Sequence, residues 1–305
     1  MFRHAVFAVV LLVATISSVG CGGHGASESP AGSVPQRIIA LAPSAAETVH
    51  VLGLSDRVVG VGDYVTWPPE LAARQRLGGL FNPDFESIVT LRPDLAILLV
   101  SEESLRGRLE AIGVEVLTIP SDTLGDVELA IERVAERCGV EERGDEVLRQ
   151  WRLDLAADPV AGSLRVVVVV GREPKRLGDM VVAGPGTFFH QLLSRLGASN
   201  AFGELELLYP QVGVEEILRR QPDVVLEVQP LVVPESRVRA LKRDWSRLAG
   251  LGSTSGPCVR IVQGEHVLVP GPRLPQVYAQ LRRALESCVP ESGAESGAPA
   301  ASNSR

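Results

Sequence analysis

Two stretches decide the fold: FESIVTLRPDLAIL, Phe85–Leu98, and VEEILRRQPDVVLE, Val214–Glu227. They superpose without a gap, matching Glu86 to Glu215, Ile88 to Ile217, Pro93 to Pro222 and Asp94 to Asp223. Each copy opens as a helix and closes on an aliphatic strand. Two copies more than a hundred residues apart indicate two lobes of similar build, because a solenoid would repeat at short, regular spacing.

Outward from these copies, apolar runs bounded by turn residues alternate with helix-period stretches. The runs are RIIALA (37–42), VVGVG (58–62), DLAILLV (94–100) and VEVLTIP (114–120) in the first half. LRVVVVV (164–170), DVVLEV (223–228) and VRIVQG (259–264) follow in the second. Near-continuous aliphatic strands separated by helices indicate mainly parallel sheets covered on both faces. The pattern predicts an α/β protein of two Rossmann-like lobes, an N-terminal lobe over 37–125 and a C-terminal lobe over 160–289. Between them, 126–159 keeps a helical period, interrupted only near Gly139, and predicts one long α-helix joining the lobes.

The ends of the chain have other roles. Residues 1–20, MFRHAVFAVVLLVATISSVG, carry Arg3 and His4 and then an apolar stretch of export-signal length. Ser18, Val19 and Gly20 precede Cys21, a small-residue pattern that resembles a bacterial lipobox and predicts lipidation of Cys21. Residues 21–36 and the tail 290–305 are rich in Gly, Ser and Pro, which bury too little apolar surface to fold, and read as a tether and a disordered end. The net charge of −7 would repel nucleic acid and anionic lipid, leaving the lipid as the hold on the membrane. Beyond Cys21 stand Cys138, Cys258 and Cys288, which allow at most one disulfide, with Cys258–Cys288 the candidate pair.

PSAAETVHVLGL, residues 43–54, places Ser44 and Glu47 at capping-box spacing and Gly53 at the far end. A helix starting at a strand's carboxyl end turns free N–H groups toward the crevice where open α/β sheets bind ligands.

These motifs, with YVTWPPE (64–70), NPDFESIVTLRPDLAIL (82–98), GPGTFFHQLLSRLGASNAF (184–202) and YPQVGVEEILRRQPDVVL (209–226), resemble the substrate-binding proteins of ABC importers for cobalamin, iron siderophores and haem. The resemblance covers Arg37 to about Val289. It implies a non-catalytic monomer that is exported, holds a ligand between its lobes and delivers it to a permease dimer in the cytoplasmic membrane. YPQVGVEE and the closing PGPR are most similar to cobalamin-binding members, with ferric siderophores or haem as alternative ligands; no cofactor is implied. Tyr64 stands at the position of a corrin-contacting tyrosine and Tyr209 at that of a cleft tryptophan. Glu265 and His266 fall on a late ligand loop. Leu80 and Leu99 replace tryptophans, and Phe81 is placed to compensate for the first. Arg172, in GREPKRLGD, and Arg273, in PGPR, stand where loops ring the cleft. Glu86 and Glu215 match the acidic pair that docks onto permease arginines.

Other readings weigh less. There is no G-x-S-x-G, H-E-x-x-H, Walker loop or G-x-G-x-x-G to support an enzyme. A zinc or manganese site needs converging ligands, whereas His24, His50, His190 and His266 are scattered. Trp67, Phe188, Phe189 and Trp245 read first as core residues.

Overall fold

The computed structural model describes residues 33–79, 82–156, 159–160, 162–173, 178–246 and 257–289. The export signal, Cys21, the tether as far as residue 32, Leu80, Phe81 and the tail 290–305 lie outside the described residues. The first lobe begins with β1 (Ile38–Ala40), α1 (Pro43–Val51), β2 (Val58–Val61), α2 (Pro69–Ala72) and β3 (Gln75–Arg76). It continues through α3 (Phe85–Leu91), β4 (Leu95–Leu99), α4 (Glu103–Glu110) and β5 (Glu115–Ile119). Its sheet runs β3-β2-β1-β4-β5 with every pairing parallel. β1 is apolar and fully buried, as a central strand covered on both faces must be.

The expected single helix over 126–159 is instead two, α5 (Leu124–Cys138) and α6 (Glu141–Asp154). Gly139 takes a left-handed conformation, φ +67°, which ends α5 and lets the chain double back. Arg152 near the end of α6 consequently reaches Glu128 near the start of α5 at 2.9 Å. At the turn's mouth a Cβ on Gly144 would lie 2.7 Å from that of Ala135, so the two helices approach as closely as glycine allows. Thr123 and Asp126 form a reciprocal capping box that starts α5.

The second lobe contains β6 (Arg165–Gly171), β7 (Met180–Val182), α7 (Phe188–Arg195), β8 (Ser199–Asn200) and β9 (Gln211–Val212). α8 (Val214–Arg220), β10 (Val224–Gln229), α9 (Glu235–Ser246), β11 (Cys258–Gln263) and α10 (Leu274–Glu286) complete it. Its sheet runs β11-β10-β6-β7-β9, with β8 also on β6; the pairs of β7 with β6 and β9 are antiparallel and the rest parallel. Cys258 at the start of β11 is bonded to Cys288 just past α10, and Cys138 is free and buried.

The repeated stretches perform the same local task. Ile88 and Ile217 are buried, and Arg92 and Gln221 end α3 and α8 in the left-handed conformation. Asp94 accepts hydrogen bonds from the backbone N–H of Gln36 and Arg37, and Asp223 accepts one from Arg165. Each aspartate thereby fixes the entry of its lobe's central strand, β1 or β6. One apolar cluster runs through both lobes and the helical hairpin, from Ile38 and Val49 through Ile131 to Val168, Phe188 and Leu281, and each lobe has a smaller second cluster, around Leu98 in the first and Val169 in the second.

Candidate functional site

In open α/β sheets ligands bind beyond the carboxyl ends of the strands, and here those two edges face each other. α1 follows β1 and carries Glu47; the loop after β11 carries Arg273, and Arg273 Nε donates to Glu47 Oε1 at 2.9 Å. Both side chains are buried. Nearby, Gly271 packs against Ser44, and the N–H of Phe188 at the start of α7 donates to the carbonyl of Asp122 at 2.8 Å. Leu124 N–H donates to Gln191 Oε1 at 2.7 Å. Pro43 occupies the first helical turn of α1 and Ala42 is its N-cap, so the expected capping by Ser44 does not occur. Glu47 points inward from α1, and burial pushes its carboxyl above the ordinary range against the pull of Arg273.

Tyr64 stands on the turn after β2, at the carboxyl edge of the first sheet, with 66 % of its surface exposed. The turn is set by Gly62, where a Cβ would lie 2.1 Å from the carbonyl oxygen of Leu41, and by Val65, which is fully buried. The same loop continues to Trp67, whose ring lies 4.4 Å from the guanidinium carbon of Arg273. The loops after β2 and β11 therefore meet, with Glu265 Oε1 3.3 Å from Arg273 Nη1. His266 Nε2 lies 3.0 Å from Gln280 Nε2; burial, with Arg273 beside it, lowers the imidazole pKa. More apolar surface is left exposed at these edges by Val100 after β4 and by Leu231 and Val232 after β10.

Tyr209 lies on the loop entering β9, partly exposed beside Leu207 and Leu208. Desolvation, reinforced by the carboxylate of Asp122 in the first lobe, pushes its phenol up to about 12. Glu86 and Glu215 are exposed in the first turns of α3 and α8, where the helix dipole favours a carboxylate.

Arg172 is elsewhere than expected. Its side chain is buried, donating to Glu227 at 2.9 Å and Asp244 at 3.2 Å, while Trp245 Nε1 donates to Glu227 at 2.7 Å. Its fork is consumed in holding two interior carboxylates rather than offered to a ligand. Arg273 likewise is a buried tie between lobes. Phe188, Phe189 and Trp245 are core residues as read, whereas half-buried Trp67 is a loop-to-loop contact, its ring also meeting His50 edge-on. Sequence reasoning missed Glu47 as a partner of Arg273; Pro43 one place before Ser44 was the available signal. Among the described residues no group of three His, Cys, Asp or Glu is placed to hold a metal ion, and no helix is long and apolar enough to cross a membrane.

Known proteins are similar to this chain. A vitamin B12-binding protein of Pectobacterium carotovorum is 26% identical over 238 residues, 72% of this chain and 84% of the relative. An ABC transporter substrate-binding lipoprotein of Bacillus subtilis is 28% identical over 265 residues, 82% and 80% of the two chains. The crystal structure of a periplasmic haem-binding protein from Pseudomonas aeruginosa superposes with a TM-score of 0.69 at 26% identity, covering 83% of this chain and 94% of that one. The family model described as periplasmic binding protein matches residues 38–232, from the first strand past β10. With both sheets and their facing edges built from that span and its C-terminal continuation, the chain belongs to the periplasmic binding protein family.

Proposed function

We propose that this protein captures a cobalamin-class corrinoid between its two lobes and delivers it to an ABC importer, held at the membrane by a lipid on Cys21. The observation that carries the reading is Tyr64: a large ring left exposed on a sterically fixed turn, at the edge facing the second lobe. Tyr209 in the second lobe and the apolar residues Leu231 and Val232 supply further exposed surface for a broad, largely apolar ligand. The vitamin B12-binding relative supports the choice of ligand.

Haem is the second reading, favoured by the Pseudomonas aeruginosa neighbour. Haem would need an axial tyrosine or histidine, for which Tyr64, Tyr209, His190 and His266 are the candidates. Calorimetric and visible-absorbance titrations with cyanocobalamin, haemin and a ferric siderophore decide among the three. Tyr64→Ala is expected to weaken cobalamin binding by about 1–2 kcal/mol, the loss of one aromatic contact. Binding of haemin alone, or corrinoid affinity unchanged in Tyr64→Ala, refutes the proposal.

Glu86 and Glu215 serve delivery, one on each lobe, facing a two-subunit permease through arginine pairs. The double variant Glu86→Ala, Glu215→Ala is expected to bind ligand normally and to lose uptake; full uptake reduces both to helix-starting residues. Cys21→Ser is expected to move the protein from the membrane to the soluble exported fraction.

A further inference from the structure

We propose that Arg76 is a positioning residue for ligand capture, tying down the turn that presents Tyr64; this rests on the contact role proposed for Tyr64. Arg76 ends the short edge strand β3. Its Nη1 donates to the carbonyl oxygens of Gly62 at 2.9 Å, Val65 at 2.8 Å and Asp63 at 3.4 Å, and its Nη2 to that of Ala72 at 2.7 Å. Gly62 and Asp63 precede Tyr64 and Val65 follows it, so one guanidinium grips the backbone on both sides of the exposed ring.

The chemistry calls for an arginine. Several carbonyl dipoles converging on one point repel each other, and a planar, permanently charged group with donors in a fixed fork satisfies them together. The turn has three other backbone restraints, the N–H of Gly62 on the Ala40 carbonyl at 3.2 Å, that of Asp63 on Gly78 at 2.9 Å and that of Val65 on Gly62 at 3.2 Å. Tyr64 itself has Gly79 as neighbour: a Cβ there would lie 3.7 Å from Cε2 of the ring. The aim of the ring is therefore governed by the backbone that carries it. A mobile turn would have to be ordered at the moment of binding, and Arg76 removes that cost in advance.

The test is a double-mutant cycle with ligand-free hydrogen exchange beside it. Affinity for cyanocobalamin, or for haemin if that is what binds, is measured for the parent, Arg76→Gln, Arg76→Lys, Tyr64→Ala and the double variant Arg76→Gln, Tyr64→Ala. Arg76→Gln is expected to lose about tenfold in affinity, Arg76→Lys less, and Arg76→Gln on the Tyr64→Ala background about twofold at most, because coupled residues are non-additive. In free Arg76→Gln the amides of Asp63 and Val65 are expected to exchange faster while those of β1 and β4 do not. Additive losses, or unchanged exchange in the turn, overturn the inference. A Tyr64 effect without an Arg76 effect overturns this inference alone, and no Tyr64 effect overturns the ligand reading with it.

Discussion

At matching places in the two copies of the repeat, the first lobe has Leu98 and the second Glu227. Both are buried, Leu98 in a cluster of aliphatic side chains and Glu227 among Arg172, Asp244 and Trp245. One backbone plan therefore supports two interiors. A buried leucine needs only close neighbours, whereas a buried carboxylate needs a counter-charge and donors for its lone pairs. That requirement is met by Arg172 from the end of β6, whose guanidinium lies buried between Glu227 and Asp244. The second lobe also departs from the first by its antiparallel β7 and β9 and by a disulfide.

The largest expected effect breaks the charged interior. Arg172→Ala leaves Glu227 and Asp244 buried without their cation and is expected to cost about 3–5 kcal/mol in denaturant unfolding. Adding Glu227→Leu, which makes the second lobe imitate the first, is expected to recover part of that loss. A double variant no more stable than the single one would show that the two interiors are not interchangeable. Next, reduction of Cys258–Cys288, a closure of 30 residues in sequence, is expected to remove about 3–4 kcal/mol on the chain-entropy model. The reduced protein should lose protection first around β11 and α10 and keep it in β1 and β4, as hydrogen exchange would report.

Cys138, at the end of α5 between the lobes, gives a smaller and pH-dependent effect. Burial pushes its thiol from 9.0 up to about 11. The native state then keeps a proton that the unfolded chain releases, so stability falls as pH rises from about 9 to 11, by about 2–3 kcal/mol over the window. Cys138→Ala should remove this part of the slope, measured as the difference between the two proteins' unfolding free energies at pH 8 and 11. Smallest is the repeated aspartate. Asp94→Ala is expected to cost about 1–2 kcal/mol and Asp223→Ala less, since the first accepts two backbone hydrogen bonds and the second one. Equal losses would contradict that ranking.

The lobes were legible because their signals are local. Aliphatic runs give strands, and the Pro–Asp turn recurs where the same backbone entry must be held. The break at Gly139 was visible as a weak point, but only the left-handed φ and the pairing of Arg152 with Glu128 turn it into a hairpin. At the candidate site, exposure was legible where it follows from the turn itself, as at Tyr64 between Asp63 and the two prolines. It was not legible where a charge is satisfied from far away in the chain. Glu47 reads as a capping residue and Arg172 as a rim residue until Arg273 and Glu227 are seen beside them. Charges separated by scores of residues leave no spacing to read.

Glu47 and Arg273 are 226 positions apart, and this gives the protein an order of completion. A chain made from its N terminus produces the carboxylate long before the guanidinium that balances it. Until the loop after β11 arrives, α1 cannot settle against β1 with Glu47 charged, since an unpaired ion is costly to bury. The last strand and its loop therefore seal the first lobe as well as the second. A chain cut short before Arg273 would leave the buried carboxylate of its first helix without a counter-charge, a defect set by the opposite end of the sequence.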